Sequence, residues 1–119
     1  MIPVSQTATA TARSTLDGWH RNSTAPDAVI LEAGDLETRT EYAAHHLGAD
    51  IAFTRAVPSQ PLSTVLSYDG AVAWVATTTT ARGTYRDRPV ASQAAELMVL
   101  SHTAAGWRIR AIHWSSRRL

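Results

Sequence analysis

The stretch that decides the fold is Gly106-Trp107-Arg108-Ile109-Arg110-Ala111-Ile112-His113-Trp114-Ser115-Ser116-Arg117, at the end of the chain. Its period-two pattern predicts a β-strand, because successive side chains of a strand point to opposite faces. The predicted faces are Trp107, Ile109, Ala111, His113 and Ser115 on one side, and Arg108, Arg110, Ile112, Trp114 and Ser116 on the other. The first face begins apolar and ends in an imidazole and a hydroxyl. We therefore predict a strand that runs from a packed core to a polar pocket.

Three more strands are predicted before this one. They cover residues 62–68, 71–84 and 90–102, and Asp69-Gly70 between the first two is a strong hairpin signal. The four strands should form a meander. A further short strand is predicted at 28–33, ended by Gly34-Asp35.

A helix is predicted to begin near Arg39. Thr38 and Glu41 have the spacing of a capping box, in which each side chain accepts a hydrogen bond from the other residue's backbone. The apolar stripe of this helix includes Tyr42, Ala49 and Phe53, with Ala43 and Leu47 beside it. His46 falls inside the stripe with Asp50 one turn later, whereas His45 projects elsewhere. Of the two histidines, only His46 is therefore predicted to face inward.

Composition and charge narrow the class of protein. The 119 residues fit one domain, with a poorly ordered tail over 1–12, a short helix near 13–21 and a single domain over 13–119. The chain has no cysteine, so it has no disulfide or thiolate chemistry. A net charge of +1 with scattered arginines argues against nucleic-acid binding, and no apolar run of about 20 residues argues against a membrane span. We expect a soluble, cytoplasmic protein of the α+β class, with a curved antiparallel sheet wrapped on helices.

This order of elements resembles the NTF2-like superfamily, which includes ketosteroid isomerase, limonene epoxide hydrolase and the SnoaL-like polyketide cyclases. The bacterial DUF4440 or SgcJ-like branch looks most similar. The blocks that carry the resemblance are APDAVILE at 25–32, EYAAHHL at 41–47, AVAWV at 71–75, ELMVL at 96–100 and the final stretch at 106–117.

The resemblance implies a conical fold with a pocket between the helices and the concave sheet, and a homodimer formed through the sheet. The region before residue 25 is shorter than the helical N-terminal region of most family members. The catalytic Tyr and Asp set of ketosteroid isomerase and the Asp-Arg-Asp set of the epoxide hydrolases have no residue-by-residue match. Neither activity is therefore transferred to this chain.

The strongest candidate for catalysis is the set His46, Asp50 and His113. A helix and a strand that both face inward can bring these groups together, and paired imidazole and carboxylate groups support acid–base chemistry. The alternative is that the histidines are hydrogen-bonded groups that brace the helix on the sheet. Candidate ligand-binding residues are Tyr42, Phe53, Trp74, Glu96, Met98, Glu32 and Ser115, of which the aromatic ones could equally be core.

Three functions follow from these residues. The first is a protein that binds a small molecule in the cone, as an isomerase, cyclase or hydrolase with His and Asp acid–base groups. The second is a non-catalytic dimerisation or accessory module, with a homodimer interface at Arg108, Arg110, Ile112 and Trp114. The third is a divalent metal site at His46, Asp50, His113 and a glutamate, although no cofactor is predicted because no compact ligand motif is present.

Overall fold

The computed structural model describes residues 24–119, so the predicted tail at 1–12 and helix at 13–21 lie outside the described residues. The described chain forms six strands and two helices. The strands are β1 (Thr24–Glu32), β2 (Asp35–Thr38), β3 (Ser59–Asp69), β4 (Val72–Tyr85), β5 (Arg88–Thr103) and β6 (Gly106–Arg118). The helices are α1 (Arg39–His45) and α2 (Leu47–Ala56).

The strands form one sheet in the order β2-β1-β6-β5-β4-β3. The predicted meander from β3 to β6 is confirmed, because each of these strands pairs antiparallel with the next. β1 instead pairs parallel with β6, so the sheet is mixed rather than wholly antiparallel. Short turns impose the antiparallel pairs, whereas β1 and β6 are separated by two helices and four strands and no tight turn sets their direction.

The predicted capping box is present at the start of α1. The Thr38 hydroxyl oxygen accepts from the backbone N–H of Glu41 at 3.1 Å, and the Glu41 carboxylate accepts from the backbone N–H of Thr38 at 3.1 Å. These hydrogen bonds lower the pKa of Glu41, because they stabilise its ionised form. The predicted helical segment is interrupted at His46, which ends α1 and precedes α2. Within residues 24–119, no helix has the length and apolar character required to cross a membrane.

One face of the sheet, here called the inner face, packs against the helices. Its buried side chains are Ile30, Ala73, Val75, Met98, Leu100, Trp107, Ile109 and Ile112, and Tyr42 of α1 packs among them. Each residue in this cluster is at most 4% exposed. Burial of this apolar surface is the main favourable contribution to folding.

A β-bulge at Arg110 divides β6 into two halves. Ile109 pairs with Leu100 and Ala111 pairs with Val99, so Arg110 has no residue opposite it in β5. One extra residue reverses the alternation of every side chain that follows. Trp107 and Ile109 face the core before the bulge, and Ile112 and Trp114 face it afterwards. The prediction of one unbroken alternation through β6 is therefore wrong beyond Arg110.

The bulge is tied to β1 by an ion pair. The Arg110 guanidinium donates to Asp27 Oδ2 at 2.8 Å, and both side chains are largely exposed. The register of β1 against β6 is also irregular between Thr24 and Val29, on the stretch that contains Asp27. The two irregular stretches thus lie side by side. An exposed pair of this kind contributes about 0–1 kcal/mol, so it accompanies the bulge rather than enforcing it.

Candidate functional site

The pocket begins where the core ends on the inner face. Ile30, Ile112, Met98 and Val75 lie beside one another across β1, β6, β5 and β4, as the strand registers show. All four are buried, so this row forms the floor. Met98, which was predicted to bind ligand, is 1% exposed and belongs to this floor because it lies one row below the pocket.

The next row of the same strands is polar. Glu32 is opposite Trp114, Trp114 is opposite Glu96, and Glu96 is opposite Thr77. In β1, β6 and β4 the residue of this row follows a floor residue by two positions, and in β5 it precedes the floor residue by two. Each residue therefore lies on the same face as its floor residue. The chain thus places two carboxyl groups, an indole and a hydroxyl directly above the core. We call these four residues the polar row.

Above the polar row lies an open cavity of about 700 Å³. The sheet side of its wall continues through small residues, and the opposite side comes from α2 and its end. The sheet contributes Thr79, Ala81, Ala94 and Ser116, and the helix side contributes Asp50, Phe53, Thr54 and Val57. Phe53 is fixed by an edge-to-face contact with Tyr85, at 5.2 Å between ring centroids. A cavity of this volume accommodates a small organic molecule.

Glu96 is held by Trp114 within the polar row. The indole Nε1–H donates to Glu96 Oε2 at 2.6 Å. Burial raises the pKa of Glu96, because the charged form loses solvation, and the hydrogen bond from Trp114 partly offsets this increase. The Trp114 ring also packs against Tyr42, at 5.4 Å between ring centroids. Glu96 is therefore a fixed carboxyl group that retains a proton more readily than an exposed one.

A second carboxyl group is positioned by α1. The Tyr42 hydroxyl donates a short hydrogen bond to Asp50 Oδ2, so a residue of the core reaches a residue of the pocket wall. Burial raises the pKa of Tyr42, and the hydrogen bond to Asp50 adds to this effect. Burial also raises the pKa of Glu32, assisted by the charge of Asp50 and opposed by His46. The site therefore contains an oriented aspartate and two glutamates that burial favours in the neutral form.

His46 lies at the junction of α1 and α2, outside the pocket wall. Its Nε2 contacts Glu37 Oε1 at 2.9 Å, and its side chain is 50% exposed. The predicted pairing of His46 with Asp50 is not formed by their side chains, because the break in the helix turns the imidazole toward β2 while Asp50 bonds Tyr42. Only a backbone hydrogen bond joins them, from Asp50 N–H to the His46 carbonyl at 2.9 Å. The histidine that was predicted to face inward therefore lies between surface and pocket.

His113 and Ser115 point away from the polar row because of the bulge. Both residues border the edge of the cavity, but strand alternation places their side chains opposite Ile112 and Trp114. They also line a shallow groove of about 350 Å³ on the other side of the sheet, here called the outer face. The prediction that His46 and His113 converge in one hollow is therefore wrong.

The outer face also carries Trp74, which was predicted to bind ligand. Trp74 alternates with the buried residues Ala73 and Val75 and is 38% exposed, so it cannot line the cavity. Val65 and Leu97 are exposed on the same face, at 58% and 41%. The predicted interface residues Ile112 and Trp114 instead lie on the inner face, since the bulge reversed them. Arg108 bonds the carbonyls of Trp107 and Ala105 near its own turn.

The structure therefore gathers part of the predicted set. Glu32, Asp50, Phe53 and Glu96 line the cavity, and Tyr42 supports it from below. The sequence analysis missed Glu37 as the partner of His46, and it placed Trp114 on the wrong face. The pairing of Trp114 with Glu96 could have been found by aligning β5 and β6 from their turn with one bulge allowed. Within residues 24–119, no group of three or more histidine or acidic side chains has a geometry that could hold a metal ion.

No family model and no curated protein matches the sequence. Solved structures do. A presumed ketosteroid isomerase from Shewanella frigidimarina has a TM-score of 0.83 and 28% identity, over 95% of each chain. The CaMKII hub of S. rosetta has a TM-score of 0.80 and 16% identity, over 98% of this chain and 99% of its own.

A presumed dehydratase of the NTF2-like family from Streptomyces avermitilis is also similar. Its TM-score is 0.74 at 12% identity, over 97% of this chain and 96% of its own. All three similarities extend over nearly the whole of both chains, which agrees with the α+β cone predicted from the sequence. The fold, the inner-face pocket and these similarities lead to one assignment: the chain has the fold of the NTF2-like superfamily.

Proposed function

We propose that this protein binds a small molecule in the inner-face cavity and transfers protons there with Asp50 and Glu96. The observation that carries the proposal is the polar row, which places fixed carboxyl groups at the closed end of a cavity of about 700 Å³. Perturbed carboxyl groups in a cleft are typical of acid–base sites. The sequence-based set His46, Asp50 and His113 is thereby replaced by Asp50, Glu96 and Glu32.

Two environments give the carboxyl groups different roles. The Tyr42 hydroxyl donates to Asp50 and orients its carboxyl group at the cavity wall, which suits a general base. Burial favours the neutral form of Glu96, which suits a donor to an oxygen that becomes negative in the transition state. Glu32 lies in the same row as Glu96, and the charge of Asp50 contributes to its raised pKa after the larger effect of burial.

The reaction class that fits is proton abstraction next to a carbonyl group, followed by return of the proton at another carbon or by loss of water. Asp50 removes the proton, the electron pair moves to the carbonyl oxygen, and Glu96 donates a hydrogen bond to that oxygen. The similarity to a presumed ketosteroid isomerase and a presumed dehydratase supports this class. The narrower placement in the DUF4440, SnoaL-like or SgcJ-like branch stays a prediction.

A β,γ-unsaturated cyclohexenone tests the proposal. Its conversion to the conjugated ketone is followed by ultraviolet absorbance. We expect a rate above buffer that falls at least about 100-fold in Asp50→Asn, in line with the usual contribution of a general base. His113→Gln, on the outer face, is the matched control and should keep the full rate. A wild-type rate equal to buffer, with the ketone shown to bind, would favour the non-catalytic alternative.

We also propose a homodimer through the outer face. Val65, Trp74 and Leu97 leave this face apolar and exposed, and such patches are typical of protein interfaces. The hub and association-domain names of several similar structures support assembly. Light scattering should give a dimer for the wild type and a monomer for Leu97→Asp. Tyr68→Asp is the control, since Tyr68 is also large and exposed, at 59%, but lies opposite Ala73 on the inner face.

A further inference from the structure

The cavity wall carries charge of one sign. The side chains that border it include three carboxyl groups, Glu32, Asp50 and Glu96. No arginine or lysine borders the cavity among residues 24–119, and the histidine at its edge, His113, points to the outer face. The ionisable side chains that point into the cavity can therefore supply only negative charge, and low-dielectric walls strengthen the effect of any such charge.

An anionic ligand would find no partner in this cavity. A carboxylate or phosphate placed above the polar row would lie near three acidic groups, without a guanidinium or ammonium group to pair with it. Burial raises the pKa of Glu32 and of Glu96, because it disfavours their charged forms. A further negative charge would increase that cost, whereas a positive charge would decrease it.

The rest of the wall fits an organic cation. The indole of Trp114 and the ring of Phe53 both border the cavity, and aromatic faces attract cations. Val57, Ala81 and Ala94 offer apolar surface nearer the opening. The acidic end and the apolar wall together match a molecule with a charged nitrogen at one end and a hydrocarbon body.

We propose that the ligand of this cavity is an amine-bearing small molecule, bound as an ammonium ion with its nitrogen at the polar row and its apolar body along α2. The inference rests on the proposed binding function and specifies its substrate class. The charge of the ammonium group favours the ionised form of Glu32, which accepts its hydrogen bond, and Phe53 and Val57 contact the body. Charge-assisted hydrogen bonds of this kind are stronger than those between neutral groups.

Three probes with one ring system test the charge preference: 2-naphthylmethylamine, 2-naphthylmethanol and 2-naphthoate. Affinities are measured by calorimetry on the full chain at neutral pH. We expect the amine to bind at least about tenfold more tightly than the alcohol, and the carboxylate to bind most weakly. Raising the salt concentration should weaken the binding of the amine and not that of the alcohol or the carboxylate. This test requires no variant.

Charge-neutralising variants locate the effect. Glu32→Gln should reduce amine affinity about tenfold and leave the alcohol within about twofold. Asp69→Asn removes the same charge in the β3–β4 turn, outside the cavity, and should leave all three affinities unchanged. Equal affinity for amine and alcohol, or tighter binding of the carboxylate, would overturn the inference about charge. Either result would still support the proposed binding of a small molecule in the cavity. Failure of all three probes to bind would overturn both the pocket and the inference.

Discussion

The indole of Trp114 donates to the carboxyl group of Glu96 across adjacent strands, and this contact joins the core to the cavity. One side of the ring packs on Tyr42, which itself donates to Asp50. A tryptophan of the sheet and a tyrosine of the helix thus each orient one carboxyl group. Asp50 and Glu96, on opposite sides of the pocket, are therefore positioned by the same aromatic pair.

Replacing Trp114 with Phe keeps an aromatic ring and removes the donor. The pKa of Glu96 should rise further, because the hydrogen bond that opposes the effect of burial is lost. The free energy of unfolding should fall by about 1–2 kcal/mol from the lost bond and the smaller ring. Carbon-13 NMR titration of the Glu96 carboxyl and denaturant unfolding measure the two effects. Trp74→Phe, on the outer face, should leave the Glu96 pKa unchanged, and an equal shift in both variants would contradict the assignment.

Tyr42→Phe tests the support of Asp50 from below. The variant leaves the ring in the core and removes only the hydroxyl, so Asp50 loses its donor. We expect a loss of about 1–3 kcal/mol in the free energy of unfolding, the usual cost of leaving a partly buried polar group without its partner. Urea unfolding provides the measurement. Tyr68→Phe serves as the control, since Tyr68 is 59% exposed, and it should change stability by less than about 0.5 kcal/mol.

The pKa of Glu96 also predicts how stability depends on pH. A carboxyl group with a raised pKa binds more protons in the folded state than in the unfolded state. Its contribution is therefore fully present below the unfolded pKa and is lost as the pH rises through the folded pKa. Glu96→Gln removes this loss. The variant should gain stability relative to wild type between pH 4 and 7, by about 1.4 kcal/mol for each unit by which the pKa is raised.

Unfolding curves recorded at several pH values measure that difference. Asp69→Asn is a suitable comparison, because it removes an exposed acidic group from a turn. Its difference from wild type should show no comparable increase with pH. If the Glu96→Gln difference instead became smaller as the pH rose, the carboxyl group would be stabilised as an anion in the folded state.

The bulge predicts opposite outcomes for two changes at one position. Arg110→Ala removes an exposed ion pair with Asp27 and should cost at most about 1 kcal/mol. Deletion of Arg110 restores strict alternation and forces either Ile112 and Trp114 or Trp107 and Ile109 out of the core. We expect a loss of more than about 4 kcal/mol, or no folded protein. Circular dichroism with thermal unfolding distinguishes the two, and a well-folded deletion variant would contradict the role of the bulge.

The sequence predicted the elements well where one local signal was sufficient. The capping box set the start of α1, and turn residues with β-branched runs marked the meander of β3 to β6. It failed where the outcome depended on tertiary pairing. Arg110 has no local signature of a bulge, and the register of β6 is decided by β5 and β1.

The same cause explains the errors in the site. His113 and Ser115 were assigned to the pocket because alternation was counted from Trp107 without allowing for the bulge. The extra residue, Arg110, therefore accounts for both wrong assignments at the far end of β6. Glu32 and Glu96 lie on strands whose inner-face alternation is unbroken near the pocket, and both line the cavity, whereas their predicted role in ligand binding stays a prediction. His46 was misplaced because its inward orientation was inferred from a helical periodicity that is interrupted at His46 itself.

The extra residue in β6 has a consequence for comparing relatives. An ungapped alignment with a protein that lacks the bulge would match Trp114 to a residue of the opposite face and His113 to one of the pocket. A substitution on the exposed surface at the cavity end of this strand would then be attributed to ligand contact. A substitution that does contact the ligand would be attributed to the exposed surface. Any family-wide inference about specificity needs a one-residue gap at position 110 before residues beyond it are compared.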